Sequence, residues 1–172
     1  MKKSILSTLV VLAFVVFSAT TQAQSKTIVD VAVGSSDHTT LVAALKAADL
    51  VKTLQGAGPF TVFAPTNEAF NKLPEGAVAS LLKVESKAML TSVLTYHVIA
   101  GKLMAKDVVS AIGKGKGKAV LTTIQGGKLT ATLDGSKVKL TDEKGGSAYV
   151  ILADLSADNG VIHVIDSVIM PK

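Results

Sequence analysis

The sequence predicts an α+β fold. Helical patterning fills the first half of the chain and strands fill most of the second, an order that fits segregated helices and sheet and not a doubly wound α/β fold. Leu41, Ala44, Leu45 and Ala48 fall at helical spacing on one face. Leu129–Leu133 and Lys137–Thr141 flank Asp134-Gly135-Ser136, a hairpin signal.

The elements follow in order. Thr27–Val33 reads as a short helix. Ser36 or Asp37 is placed to cap a second helix. Leu50–Leu54 adds a turn before the break at Gly56-Ala57-Gly58-Pro59. Phe60–Ala64 is a strand, stopped at Pro65, which has no amide to donate. Thr66 caps a short helix through Phe70, and Pro74 starts another with Val78, Leu81 and Leu82 inward. A further helix runs from about Ser86 to Leu94, with Met89, Leu90, Val93 and Leu94 inward. Strands are expected at Tyr96–Ala100, Lys118–Ile124 and Ala148–Leu152. Val161–Met170 is apolar on both faces and reads as a long central strand ended by Pro171.

Composition narrows the chemistry. The chain has 172 residues, 48% of them hydrophobic, which is enough for one sizeable core. It has no cysteine, which removes disulfides, thiolate catalysis and cysteine zinc sites. All 18 basic residues are lysine, so the net charge of +5 is weak support for a nucleic-acid partner, which arginine normally reads. Lys2-Lys3, the apolar run Ile5–Phe17 and the small residues ending at Ala23 have the layout of a secretory signal peptide. The apolar run is shorter than the ~20 residues a bilayer span needs. The expected organisation is a signal peptide over 1–23 and one domain over 24–172, exported and not transmembrane.

Two long blocks and a short motif carry a family resemblance. The first block is Gly58-Pro59-Phe60-Thr61-Val62-Phe63-Ala64-Pro65-Thr66-Asn67-Glu68-Ala69-Phe70 and the second runs from Asn159-Gly160-Val161-Ile162-His163 to Pro171. Between them lies Leu94-Thr95-Tyr96-His97-Val98. Together they resemble the signature blocks and the central Tyr-His motif of fasciclin (FAS1) domains, over about residues 27–171. The resemblance implies a wedge of two β-sheets with several helices packed on one side. It also implies a secreted or surface-attached adhesion module, in a single-domain form of the bacterial kind, whose partner is a cell-surface or matrix protein or glycan. The Tyr-His motif implies that Tyr96 and His97 contact a receptor, a role associated with integrins in animal members.

The residues themselves also support blander roles. Phe60, Phe63 and Phe70, with Pro65 and Thr66, read as a folding anchor. His163, in an apolar strand, reads as a satisfied core histidine, and Tyr96 and His97, also among apolar residues, read as half-buried supports of the fold in preference to a contact surface. Asp166 interrupts an apolar strand, where a bare carboxylate is costly, and is expected to tie that strand to the first block. His38 and the pair Asp142-Glu143 read as solvated loop residues. Lys114, Lys116 and Lys118, alternating with glycine, read as a mobile cationic loop; one alternative function is polyanion binding through that loop. A second alternative is a secreted enzyme using His97. Ser147 lacks the context of a nucleophile elbow, and no nucleotide or metal motif is present, so no cofactor is expected.

Overall fold

The computed structural model describes residues 26–172. The expected signal peptide therefore lies outside the described residues. Among the described residues seven α-helices, two short 3-10 turns and seven strands alternate in blocks. Helices α1 (Ile28–Val33), α2 (Thr39–Ala47) and α3 (Val51–Gln55) come first. They are followed by β1 (Phe60–Pro65), α4 (Asn67–Asn71), α5 (Ala77–Leu81) and α6 (Lys87–Tyr96). Then come β2 (Val98–Ala100), α7 (Ala105–Lys114), β3 (Lys118–Thr122), β4 (Lys128–Asp134) and β5 (Lys137–Thr141). The long β6 (Ser147–Ala157) and β7 (Gly160–Ile165) close the order.

Local chemistry sets the element boundaries. Thr27 and Asp30 form a reciprocal capping box at α1: the Thr27 N–H donates to Asp30 Oδ2 at 2.9 Å, and the Asp30 N–H donates to Thr27 Oγ1 at 3.4 Å. Thr66 caps α4 by accepting the Ala69 N–H, as expected. Leu41, Ala44, Leu45 and Ala48 are all buried, as the periodicity requires.

The strand order is β2-β1-β7-β6-β5-β4-β3. Register shifts between Val150 and Leu152 and between Leu152 and Leu155 divide β6, so one half pairs with β7 and the other with β5. The two ends of the order meet at an antiparallel bridge between Ile99 and Thr123. The result is a nearly closed wedge of two half-sheets. β1 and β7 run parallel, with Phe60 opposite Gly160 and Pro65 opposite Ile165. The two long sequence blocks are thus neighbours, residue against residue.

Two cores result. Helices α1, α2 and α6 bury Ile28, Leu41, Leu45 and Leu94 against Val62 and Ile162. Inside the wedge, Phe63, Tyr96, Ile112, Leu129, Leu140 and Ile165 form the second.

Several expectations are corrected. Tyr96 and His97 do not lie in a strand: Tyr96 ends α6 and His97 is its C-cap. The apolar run continues a helix because Leu90, Val93 and Leu94 already commit its face to the core. Met89 falls on the opposite face and is 63% exposed. Helix α7 was not expected, although Ala105, Val108, Ala111 and Ile112 share one helical face and Asp107 accepts the Met104 N–H at its start; the glycine-lysine run after it reads as a loop. Ser36–His38 form a 3-10 turn, so neither Ser36 nor Asp37 caps α2 with its side chain. Helix α5 starts at Ala77 after Gly76 in the left-handed region, three residues beyond Pro74. The last strand ends at Ile165 instead of Met170, although its central position holds and all six of its residues are buried.

Candidate functional site

The C-terminal end of α6 places Tyr96 and His97 beneath the segment that follows β7. Tyr96 is 0% exposed and His97 2% exposed. The Tyr96 hydroxyl donates to the Lys128 carbonyl at 2.6 Å and accepts the Glu143 N–H at 3.3 Å. Its ring lies so close to Gly127 that a β-carbon there would meet the ring at 2.6 Å. His97 Nδ1 donates to the Val93 carbonyl at 2.8 Å, leaving Nε2 to accept the Ile169 N–H at 3.3 Å. Those partners require the neutral imidazole. Burial pushes its pKa down to about 4, against smaller opposing effects of the Val93 hydrogen bond and the Asp142 charge.

Asp142 completes this cluster. It is buried and not solvated, because its carboxylate closes a turn. Oδ1 accepts the Lys144 and Gly146 N–H groups, and Oδ2 accepts the Met170 N–H at 2.9 Å. Glu143 beside it is exposed, although its Oε1 accepts the Lys128 N–H at 3.3 Å. His97 and Asp142 therefore hold consecutive amides of the C-terminal segment, 169 and 170. The sequence reading missed Asp142. The available signal was an aspartate opening a glycine-containing turn, where its carboxylate accepts the amide two residues on, here that of Lys144.

His163 lies in β7, buried, with its ring stacked on Phe63 at 5.6 Å between centroids. Nε2 donates to the Leu103 carbonyl at 2.7 Å and Nδ1 accepts the Asp154 N–H at 3.3 Å. Asp154 adopts a left-handed φ of 62° and accepts the Ala105 N–H at 2.7 Å, holding the start of α7. A cavity of about 180 Å³ lies beside this group, lined mainly by apolar residues of α7, β5 and β6. His38 is likewise buried, 6% exposed, with Nδ1 at 2.8 Å from Ser35 Oγ; the 3-10 turn folds it inward, and burial lowers its pKa.

Asp166 accepts the Tyr149 N–H at 2.9 Å and lies 3.6 Å from Lys72 Nζ. Lys72, just after α4, also donates to the Asp166 carbonyl. Partial burial works to raise the Asp166 pKa, but the Tyr149 N–H, Ser167 and Lys72 outweigh it and hold the carboxyl below its usual range. Phe63, Pro65 and Phe70 of the first block are buried and Phe60 is half-buried.

Lys114, Lys116 and Lys118 are exposed but do not form an open loop. Lys114 ends α7, and the Gly115 and Gly117 N–H groups turn back onto the Ala111 and Ile112 carbonyls. Gly117, at φ 94°, and Lys116, at φ 56°, take left-handed conformations. Lys118 is already the first residue of β3. Ser147 is the exposed first residue of β6. Among the described residues no three histidines or acids converge in a metal-binding arrangement. No helix among them is long and apolar enough to cross a membrane.

The comparisons with known proteins agree with this geometry. The model of the Fasciclin domain family matches residues 36–171. The chain is 50% identical to Protein sll1483 of Synechocystis over 84% of its own length and 73% of that protein. It is 40% identical to Immunogenic protein MPB70 of Mycobacterium bovis, over 82% of the chain and 68% of that protein. Transforming growth factor-beta-induced protein ig-h3 of Sus scrofa is 37% identical over 84% of the chain, which spans only 19% of that longer protein. Among solved structures, a FAS1 domain pair from the insect cell adhesion molecule Fasciclin I aligns with a TM-score of 0.59 at 22% identity. The match covers 76% of this chain and 43% of that one. That likeness is one of fold.

Proposed function

The chain belongs to the Fasciclin domain family, and from that premise we propose that it is an exported, non-enzymatic adhesion module. It joins a cell surface or matrix to a protein or glycan partner through its outer faces. The observation that carries this reading is the spending of every polar side chain in the Tyr96–His97 cluster on the fold itself. His97 uses both ring nitrogens internally and is held neutral, with a pKa of about 4. It has no proton to exchange near neutral pH and no open face toward a substrate, so the enzyme alternative has little support. Tyr96 and His97 then influence adhesion indirectly, by fixing the position of the surface segments they hold. The family and the insect cell adhesion molecule that shares the fold support the adhesion reading. The N-terminal pattern supports export, with the mature chain starting near Gln24.

The test is attachment to the immobilised mature protein. Cells or matrix preparations are expected to attach saturably to the folded protein and not to the heat-unfolded one. Attachment no greater than to an inert protein coat contradicts the proposal. N-terminal sequencing of the exported protein is expected to begin near Gln24; a start at Met1 contradicts the export step.

A further inference from the structure

The half-sheet β3–β4–β5–β6 has two faces of opposite character, and the register separates them cleanly. On the inner face Ala119, Ala131, Leu140 and Ala148 are consecutive cross-strand partners, all buried against α7 and the wedge core. One residue along, on the outer face, Lys118 lies opposite Thr132, Thr132 opposite Lys139, and Lys139 opposite Tyr149. The adjoining row is Val120, Thr130, Thr141 and Ser147. Lys128 and Lys137 flank these rows on the same face, as the two-residue period of a strand requires. All of these outer residues are exposed or half-exposed.

This face carries four lysines against one acid, Asp134, which lies opposite Lys137. Among the described residues none of the four lysines forms an ion pair with an acid. Four acids lie on these strands and their connections, and all are engaged: Asp142 accepts the Gly146 and Met170 N–H groups and Asp154 the Ala105 N–H. Asp134 accepts the Tyr149 hydroxyl at 2.8 Å, and Glu143 accepts the Lys128 N–H. Lys139 Nζ lies 5.9 Å from the centre of the Tyr149 ring. Lys114 and Lys116 extend the positive region past the start of β3.

We propose that this outer face binds a linear acidic polysaccharide, laid across the strands. The inference rests on the adhesion-module reading and names its partner. Lys118 and Lys139 are separated by two strand spacings, about 10 Å. That is close to the two-sugar repeat of a linear polyuronate, in which every second carboxylate falls on the same side of the chain. Thr132 lies between them, with Thr130 and Thr141 in the adjoining row, and threonine hydroxyls are donors and acceptors suited to sugar hydroxyls. Val120 is the one exposed large aliphatic residue in these two rows, too little to anchor the face in a lipid surface. The chain has no arginine to read bases.

The experiment uses the mature protein, with polygalacturonate as probe, neutral dextran as control and vesicles containing phosphatidylglycerol as the competing anionic surface. Polygalacturonate is expected to bind and to weaken steeply with added salt, while dextran does not bind. The triple variant Lys118→Gln/Lys128→Gln/Lys139→Gln is expected to lose at least about tenfold in affinity with its melting temperature retained. The triple variant Lys52→Gln/Lys83→Gln/Lys106→Gln, with the same change of net charge elsewhere, is expected to bind as wild type. On the unmodified protein, the polymer is expected to shield Lys118, Lys128 and Lys139 from acetylation, which serves if the first variant fails to fold. Equal loss in both triple variants, unshielded lysines, or binding to vesicles alone each overturns the inference. If polygalacturonate fails while cells still attach to the wild-type protein, only this inference falls. Failure of attachment itself removes the adhesion reading as well.

Discussion

His97 and Asp142 hold the amides of Ile169 and Met170 from two sides, and single substitutions there read the cluster directly. His97→Ala leaves the Val93 carbonyl and the Ile169 amide without their partner and is expected to cost about 1–3 kcal/mol in denaturant unfolding. Tyr96→Phe removes only the hydroxyl and is expected to cost about 1 kcal/mol. The histidine also makes stability depend on pH. Its folded pKa of about 4 lies below the unfolded value of 6.5. The unfolded chain therefore binds a proton first as pH falls, so this stabilisation is complete above 6.5 and is lost between about 6.5 and 4. Buried His38, also shifted down, acts in the same direction. The melting temperature is expected to fall across that window, and His97→Gln to flatten the fall. A wild-type curve flat from pH 7 to pH 4.5 contradicts the neutral, buried imidazole. Little of this was legible beforehand. A histidine among apolar residues signals burial, but its partners come from residues as far as 72 positions away in sequence. Asp142 was hidden by the polar, glycine-containing turn around it.

Among the elements, the parallel pair β1–β7 is the frame on which both cores are built. Phe63 faces the wedge core and stacks on His163, whereas Val62 and Ala64 face the helices. Phe63→Ala is expected to cost about 3–5 kcal/mol, a large part of the ~5–15 kcal/mol typical of a domain. A melting temperature within a degree or two of wild type contradicts its anchoring role. These strands were readable because their apolar runs are bounded by Pro65 and by Asn159-Gly160. The asparagine does more than turn the chain: it accepts the Ile28 N–H and donates to the Leu54 and Gly56 carbonyls. Helix α7 was missed although Ala105, Val108, Ala111 and Ile112 fall at helical spacing, because the glycine-lysine run draws attention to a loop; its first amide is held by Asp154 from β6, a partner no local pattern shows. The Tyr96–Ala100 segment was misread for the opposite reason. An apolar run does not reveal where a helix hands over to a strand.

At the scale of the whole molecule, the residues that stand out in the sequence lie inside and the surfaces that remain for a partner lie outside. The α+β class, the order of the two blocks and the central last strand follow from apolar patterning. The closure of the wedge at Ile99 and Thr123 does not, because bulges in β6 and one isolated bridge produce it. The lysine face is invisible in linear sequence for a similar reason, since Lys118, Lys128 and Lys139 join one surface only through strand register.

The central claim is that the Tyr96–His97 cluster serves adhesion by holding the fold and not by touching the partner. The most direct measurement is attachment to immobilised His97→Gln protein, far below its melting temperature, against the folded fraction measured on the same sample. The account predicts attachment equal to wild type once corrected for folded fraction. A fully folded variant that no longer supports attachment contradicts it and places the partner on His97 itself.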